Sequence, residues 1–523
     1  MKKKYIASII VLAATMTFGV VSCVEDEGTY ELSPINEISI SGIDEEYTKK
    51  SYVETLSIEP VLEGSLSGKD EDQLEYKWFF SSSYGSSVTH TLVSTDRNLN
   101  FPVDVAPGTY TLYFQVEDKS TGLKWDTYTY LKAQSQFVRG FYLFGDKADG
   151  TCGMDFVSMM DGRDTTVVKD IFVNSQKIKN AKNLIFTGGY DDNTTDLWAI
   201  TEEESYGIEH SAALSSFDII DGVTAETMIY PTIPVTHPLK MMEIHPHALG
   251  ASNMNLSKSS RIFMTENEFF VSALTNSLEA YGNPLNRYSA STNELFKPSV
   301  YLFYPGNSSY ISRIMIFDET NHCFTGMNSS YSFAGYCKKY ATDSGELFYF
   351  DQTKYTPVRT LVYGENGYGN AGRSYALMTD ADGKFYIYGF STSAATPSKY
   401  YGGEVDQSIA TDFGKASHYA FFSEQSIILY SVGSQLWAYD YNRKDGKMVK
   451  DFGADITYLA MDYHSNNTST DFIVATYSTS EKGIVRKFTI ADDQNKIEVT
   501  PHEKEVWKTD LKVVKVEYRN SSI

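Results

Sequence analysis

Cysteine is scarce: four in 523 residues, at positions 23, 152, 323 and 337, far too few to serve as a disulfide scaffold for so long a chain. No CxxC pair and no Cys/His zinc spacing occurs among Cys152, Cys323 and Cys337, which read as buried small residues, with a Cys323 to Cys337 bridge left open. Basic charge is also short, 45 Lys+Arg against 67 Asp+Glu for a net −22. That balance excludes nucleic acid as a partner, because such affinity comes mainly from cations neutralising phosphates. Long apolar runs are absent after the first 22 residues, so the chain is not a multispan membrane protein. Absent too are GxSxG, HExxH and a catalytic Cys/His neighbourhood, which removes the common hydrolase signatures. Acids are plentiful enough to form many carboxylate pairs, and only geometry sorts those at glycosidase separations from the rest.

What is present starts with an address. Met1 to Lys4 carries three lysines, 6–21 is a 16-residue run without charge, and Val20-Val21-Ser22-Cys23 closes it with small residues before a cysteine. This is the order of a secretory signal peptide. The stretch resembles a bacterial lipoprotein signal with its lipobox, which implies that Cys23 is lipidated and heads a mature chain of 42 basic and 67 acidic residues, at −25. Several acyl chains at roughly 0.8 kcal/mol per buried CH₂ anchor such a chain firmly. The following Val24-Glu25-Asp26-Glu27 is similar to the acidic tag that accompanies export of Bacteroidota lipoproteins to the outer face of the outer membrane.

The remainder reads as all-β. Short alternating runs at 38–40, 52–58, 74–80, 91–94, 109–116 and 127–131, parted by turn clusters such as 64–68 and 106–108, give a sandwich count of strands in about 100 residues. Trp78 is placed like the buried tryptophan of an Ig-type third strand, and Tyr110 like a tyrosine corner. From 137 to 523 the strand-like pattern continues without helices of crossover length. Leu197-Trp198-Ala199 echoes Leu436-Trp437-Ala438, and similar strands are expected at 346–350 and 384–388, with Trp198 and Trp437 both in the core. At about 50 residues per four-stranded blade this length gives a β-propeller of seven or eight blades; stacked sandwiches or a large jelly roll are the alternatives. The expected layout is signal peptide 1–22, acidic tether 23–36, Ig-like (PKD-type) β-sandwich 37–135 and β-propeller 137–523.

Tyr76-Lys77-Trp78, the Pro107-Gly108-Thr109-Tyr110 turn with its strand to Asp118, and Gly140-Phe141-Tyr142-Leu143-Phe144 together give a layout that resembles the PKD-like lipoprotein family of Bacteroidota. The resemblance implies a role accessory to SusC/SusD-type outer-membrane uptake systems: SusC/SusD-like partners, a glycan or peptide ligand, and a lipid anchor facing the cell exterior. It brings no catalytic motif and no cofactor.

Several constellations invite chemistry and are read first as structure. Gly367-Tyr368-Gly369-Asn370-Ala371-Gly372 spells GxGxxG, but no βαβ unit follows to place a helix N-terminus against a pyrophosphate, so it reads as a glycine-rich loop. Asp380-Ala381-Asp382-Gly383 and 191–196 begin like calcium loops, yet counting from Asp380 puts Phe385 and Ser391 where an EF-hand needs Gly and Glu; both read as turns. Glu243, His245 and His247 alternate and would share a side of an extended backbone, with His237 nearby, but surface or turn histidines are the expectation and no metal is assigned.

Tyrosine, 39 of 523, is the stronger functional sign, since its flat apolar face and polar tip suit sugars and extended peptides. Tyr363, Tyr368, Tyr400 and Tyr401 stand in Gly/Ser-rich segments and are the candidate ligand contacts. The expectation is a non-enzymatic, surface-anchored binding protein. A polymer-degrading hydrolase or lyase and a non-binding scaffold are the alternatives. Cys23→Ala should abolish acylation and release the protein from membranes while leaving the β domains folded; a variant still firmly membrane-bound in cells lacking partner proteins would refute anchoring through Cys23.

Overall fold

The computed structural model describes residues 35–520 except 67–70, 85–86, 161–162, 188–196, 210–216, 247–259, 274–279, 307–310, 312, 329–334, 341–342, 464–469, 492 and 494. Cys23, His247, 191–196 and almost all of the expected tether lie outside the described residues. Two compact units emerge. The first takes in the described residues up to Tyr47 with Leu56–Phe101 and Tyr110–Tyr130; the second is Leu131–Ile523 with Thr48–Thr55 and Pro102–Thr109.

The first unit has a five-stranded sheet in the order Glu46–Lys50, Lys124–Gln134, Gly108–Asp118, Leu74–Tyr84, Ser87–Ser94, and two strand pairs, Ile38–Ser41 with Val61–Gly64 and Thr55–Ile58 with Leu99–Pro102. Alternation drives the layering: in Gly108–Asp118 every second residue from Leu112 is buried. Trp78, Leu112, Phe114 and Val116 from the sheet and Leu56, Ile58 and Leu99 from the pairs are its apolar core. The Trp78 ring lies 4.5 Å from Phe114, and its indole N–H donates to the Arg97 carbonyl at 3.2 Å. Tyr110 lies inside the strand itself and packs on Phe80 at 4.6 Å.

The second unit is a β-propeller with seven antiparallel sheets among the described residues. The innermost strands of blades 1 to 7 are Lys512–Asn520, Ala181–Phe186, Glu243–His245, Pro298–Phe303, Thr360–Asn366, His418–Phe422 and Asp455–Met461. Six blades are four-stranded; blade 3 shows three strands among the described residues. Blade 1 is composite. Its innermost strand comes from the C-terminal end of the chain and pairs with Arg139–Asp146, which precedes Cys152–Ser158 and Thr166–Val168.

Middle strands are buried on both faces because each blade is covered by two neighbours: Cys152–Ser158 and Leu197–Thr201 are buried at every residue. The outermost strand Asp445–Asp451 is largely exposed. Seven apolar clusters fill the seven gaps between consecutive blades. Between blades 7 and 1 lie Ile473, Val485 and Trp507 with Phe141, Val157, Val513 and Val516, so the circle is closed by packing as well as pairing.

Segment 346–350, expected as a strand, is not one. Phe348 and Phe350 instead reach from a loop into the gap between blades 4 and 5, where Phe348 stacks on Tyr388 at 4.1 Å, and an apolar plug has the same composition as a short strand. The Trp198 and Trp437 echo is not a blade repeat: Leu197–Thr201 is the second strand of blade 2 and Gln435–Asp440 the third of blade 6. Trp198 is fully buried, whereas Trp437 is only partly so, its indole N–H donating to Gln435 at 3.2 Å. Cys152, Cys323 and Cys337 are buried and free.

Removing residues 512–523 should leave Arg139–Asp146 without its inner partner and abolish the cooperative melting of the propeller in calorimetry. A truncated chain that melts cooperatively at the parental temperature would show that the ring closes without this strand.

Candidate functional site

The innermost strands surround a cavity of about 510 Å³ to which every blade but the sixth contributes lining side chains. Their residues face it because strand alternation sends i and i+2 the same way, as with Glu243 and His245, Tyr363 and Glu365, and Lys515 and Glu517. Bulges in the register between Leu361 and Tyr363 and between Ile456 and Tyr458 adjust this alternation where Tyr363 and Tyr458 meet the cavity.

The wall is tyrosine with carboxylates set between. Tyr301, Tyr304, Tyr363, Tyr368, Tyr458, Tyr463 and Tyr518 all line it. Glu365 has three donors: its carboxylate accepts from the Phe421 backbone N–H at 2.7 Å, the Tyr363 hydroxyl at 3.1 Å and the Tyr463 hydroxyl at 3.4 Å. Burial pushes this carboxyl up from 4.5 to about 7, against the opposing pull of those three donors. Glu243 accepts from Asn183 at 3.1 Å, and Glu517 pairs with Lys515 at 3.5 Å. Burial opposes charging of Lys515, yet Glu517, Tyr458 and Glu243 raise its pKa. Burial lifts the Tyr458 hydroxyl to about 12 and that of Tyr304 higher still, so these phenols stay neutral at ordinary pH. Asp462, also in the lining, is paired at 3.0 Å with the fully buried Lys487, which also holds Asp471 at 3.1 Å.

The glycine-rich loop carries one side of this site. Gly367 and Gly369 press on the blade 6 turn so closely that an added Cβ would lie 2.4 Å from Ser423 Cβ and 2.3 Å from Glu424 Oε1. The Gly369 N–H donates to Ser423 Oγ at 2.9 Å, and Asn370 bonds the Ser423 carbonyl. The loop therefore docks one blade on the next and brings Tyr368 to the cavity, stacked 6.1 Å from Tyr463. Asp380 caps the following hairpin, accepting from the Asp382 and Lys384 N–H groups at 3.0 and 3.1 Å and from Tyr386 at 2.8 Å.

Of the four candidate tyrosines, Tyr363 and Tyr368 share the central cavity, while Tyr400 and Tyr401 lie on the outermost strand of blade 5, Ser398–Glu404, at a different one. All but Tyr368 sit in strands and not in loops, and Tyr363 is half-buried. Glu243 and His245 both line the central cavity, with His245 Nδ1 3.3 Å from the Tyr304 hydroxyl; His237 instead meets Glu226 at 3.0 Å. No set of three His, Cys, Asp or Glu is arranged to hold a metal ion among the described residues. Sequence reasoning missed Glu365, Tyr458, Tyr463, Lys515 and Glu517. A sign was available in Lys515-Val516-Glu517, where charged residues alternate with valine in a strand that must bury its other face.

Residues 23–181 match the model of the PKD-like family. This PKD-like match spans the first unit and continues through Arg139–Asp146, Cys152–Ser158 and Thr166–Val168 of blade 1. No curated protein matches the chain. Among solved structures it is similar to a quinonprotein alcohol dehydrogenase-like protein from Bacteroides thetaiotaomicron, at 11% identity over 94% of this chain and 100% of that one with a TM-score of 0.38. It is also similar to a periplasmic gluconolactonase from Pseudomonas aeruginosa, at 10% identity over 73% of this chain and 99% of that one with a TM-score of 0.39. A putative 6-phosphogluconolactonase from Bacteroides uniformis follows at 9%, 85% and 99%, with a TM-score of 0.33. The chain's own strand order and interblade cores define its propeller.

Glu365 gives the site a pH signature. Its folded pKa near 7 lies above its unfolded value near 4.5, so between them the folded protein holds more protons and stability falls as pH rises. Raising the pH from 4.5 to 8 should cost on the order of 1–3 kcal/mol through this group. Glu365→Gln should flatten that part of the dependence of melting temperature on pH; an unchanged slope would show that Glu365 titrates normally.

Proposed function

We propose that this is a surface-anchored binding lipoprotein whose propeller takes a hydroxyl-rich ligand, the end of a glycan, into the central cavity. The observation that carries this reading is the convergence of seven tyrosines with Glu243, Glu365, Glu517, Lys515 and Asn183 on one space of about 510 Å³. That size falls within the range of roughly 300–1,000 Å³ usual for small-molecule sites. Sugar hydroxyls both donate and accept, so they match a wall of interspersed carboxylates and phenols. Sugar rings offer C–H faces to aromatic rings. A peptide would instead ask for an exposed strand edge or an apolar groove.

Attachment through Cys23, exposure at the outer membrane and service to a SusC/SusD-type uptake complex belong to the same proposal. They draw support from the leader sequence and from the PKD-like match that begins at residue 23. Mature charge near −25 keeps such a protein from self-association at the surface.

A second reading, hydrolysis, is favoured by one observation: a carboxyl at about 7 facing a cavity that also holds Glu243 and Glu517 is poised as a general acid. The two separate by experiment. Purified protein titrated with glycan and peptide panels should give heat with glycans and no turnover, and Tyr368→Ala should weaken binding about 5–10-fold. Turnover lost in Glu365→Gln would establish the hydrolase, and absence of heat across both panels would leave the scaffold role. Co-purification from membranes without any SusC- or SusD-like protein would overturn the uptake assignment.

A further inference from the structure

A second cavity, of about 410 Å³, lies between blades 5 and 6 and is lined by Arg373, Tyr400, Tyr401, Glu424 and Arg443 among others. Its two arginines are differently placed. Arg443 is committed: its Nε meets Asp440 at 2.7 Å, and Asp440 also accepts from Ser426 at 3.0 Å and from the Asn442 and Arg443 backbone N–H groups. Arg373 is not. Its guanidinium carbon sits 4.1 Å from the centre of the Tyr400 ring, and among the described residues its side chain has neither an ion pair nor a hydrogen bond. In a chain with 67 acids and 45 bases, a half-buried arginine without a carboxylate of its own is held ready for one from outside.

The setting is built. Arg373 leaves the glycine-rich loop directly after Asn370 and Ala371, two non-glycine residues with φ of 49° and 60°, and after Gly372 at 71°. Left-handed backbone at the first two is strained for residues with a Cβ, and the loop's bonds to Ser423 offset that strain. Opposite, the Tyr401 hydroxyl donates to the Tyr441 carbonyl at 3.0 Å with its ring 4.6 Å from that of Tyr441, so this aromatic wall is fixed in advance. Tyr400 is 47% exposed and carries the guanidinium on its face. Glu424 brings negative charge to the same lining, which disfavours a bare anion and favours a ligand with hydroxyls to donate.

We infer that this interblade cavity is a second ligand site, separate from the central one, and that it takes a carboxylated sugar of the hexuronate class. The carboxylate pairs with the Arg373 guanidinium, hydroxyls donate to Glu424, and the ring lies against Tyr400 and Tyr401. A free hexuronate and the terminal residue of an acidic polysaccharide present the same group.

The test is calorimetry on the full chain in detergent with glucuronate, galacturonate, an oligogalacturonide, glucose and galactose. The acidic sugars should bind at least 10-fold more tightly than their neutral counterparts, and less tightly as salt rises. Binding of the oligomer alone would assign the site to polysaccharide ends, and equal binding of monomer and oligomer to the free sugar. Arg373→Gln should lose at least 10-fold, Arg373→Lys nearly as much because an ammonium lacks the bidentate fork, and Tyr400→Ala about 5-fold. Tyr368→Ala, at the central cavity, should leave hexuronate binding intact. Equal affinity for glucuronate and glucose, no binding of any acidic sugar, or retention of acidic-sugar binding in Arg373→Gln overturns the proposal. So does a loss in Tyr368→Ala as large as in Arg373→Gln, which would put the acidic sugar in the central cavity. Should Arg373→Gln fail to fold, Arg373→Lys and the exposed position Tyr400 carry the same comparison.

Discussion

Everything in the larger unit depends on the pairing of Lys512–Asn520 with Arg139–Asp146. A ring of seven twisted sheets is held more firmly where the two ends of its sequence share a blade, because an open seam would leave two apolar faces in water. Here the seam is closed three ways. Backbone pairing joins the strands, the Phe141, Val513 and Trp507 cluster packs blade 7 on blade 1, and buried polar contacts lock the joint. Thr509 donates to Asp155 at 2.6 Å, and the buried Arg519 donates to Tyr142 at 2.7 Å while lying over Phe186 of blade 2. The closing strand also delivers Lys515 and Glu517 to the central cavity, so closure and site are one event.

Polar side chains on the innermost strands create a demand the fold has to meet. A carboxylate removed from water without partners is expensive, and each acid of the wall has donors at hand: Glu365 from Phe421, Tyr363 and Tyr463, Glu243 from Asn183, Asp462 from Lys487, Glu517 from Lys515 and the Phe186 N–H. The tyrosines serve both requirements, burying a ring in the wall and giving a hydroxyl to a neighbour. That dual use accounts for their abundance better than exposure in loops does. The same economy appears in the loop 367–372, whose glycines dock blade 5 on blade 6 while its ends send Tyr368 to one cavity and Arg373 to another.

Fold class was legible because it rests on local pattern. Period-2 alternation, turn clusters and missing helical periodicity are properties of short windows, and they led to a sandwich followed by a propeller. Individual strands were less so. Segment 346–350 has the composition of a strand and serves as a plug, because Phe348 and Phe350 are apolar for the sake of the gap between blades 4 and 5 and not of a ladder. The candidate tyrosines were found for a composition, Gly and Ser around them, that came from tight blade packing: an added Cβ at Gly364 or Gly402 would meet Phe303 or the Leu347 carbonyl.

The all-β class, the approximate blade number and the acidic charge were readable from the chain alone, since each is carried by composition or by spacing within a few dozen residues. Only the tertiary structure decided which residues meet. Glu365 and Tyr463 lie 98 positions apart, and Phe186 and Glu517 331 apart, yet both pairs are in hydrogen-bond contact at the cavity. Tyr363 and Tyr400, much nearer in sequence, face different cavities. In a closed ring the innermost strands of different blades bring side chains to a common space whatever the sequence distance between them, and no local pattern encodes that convergence.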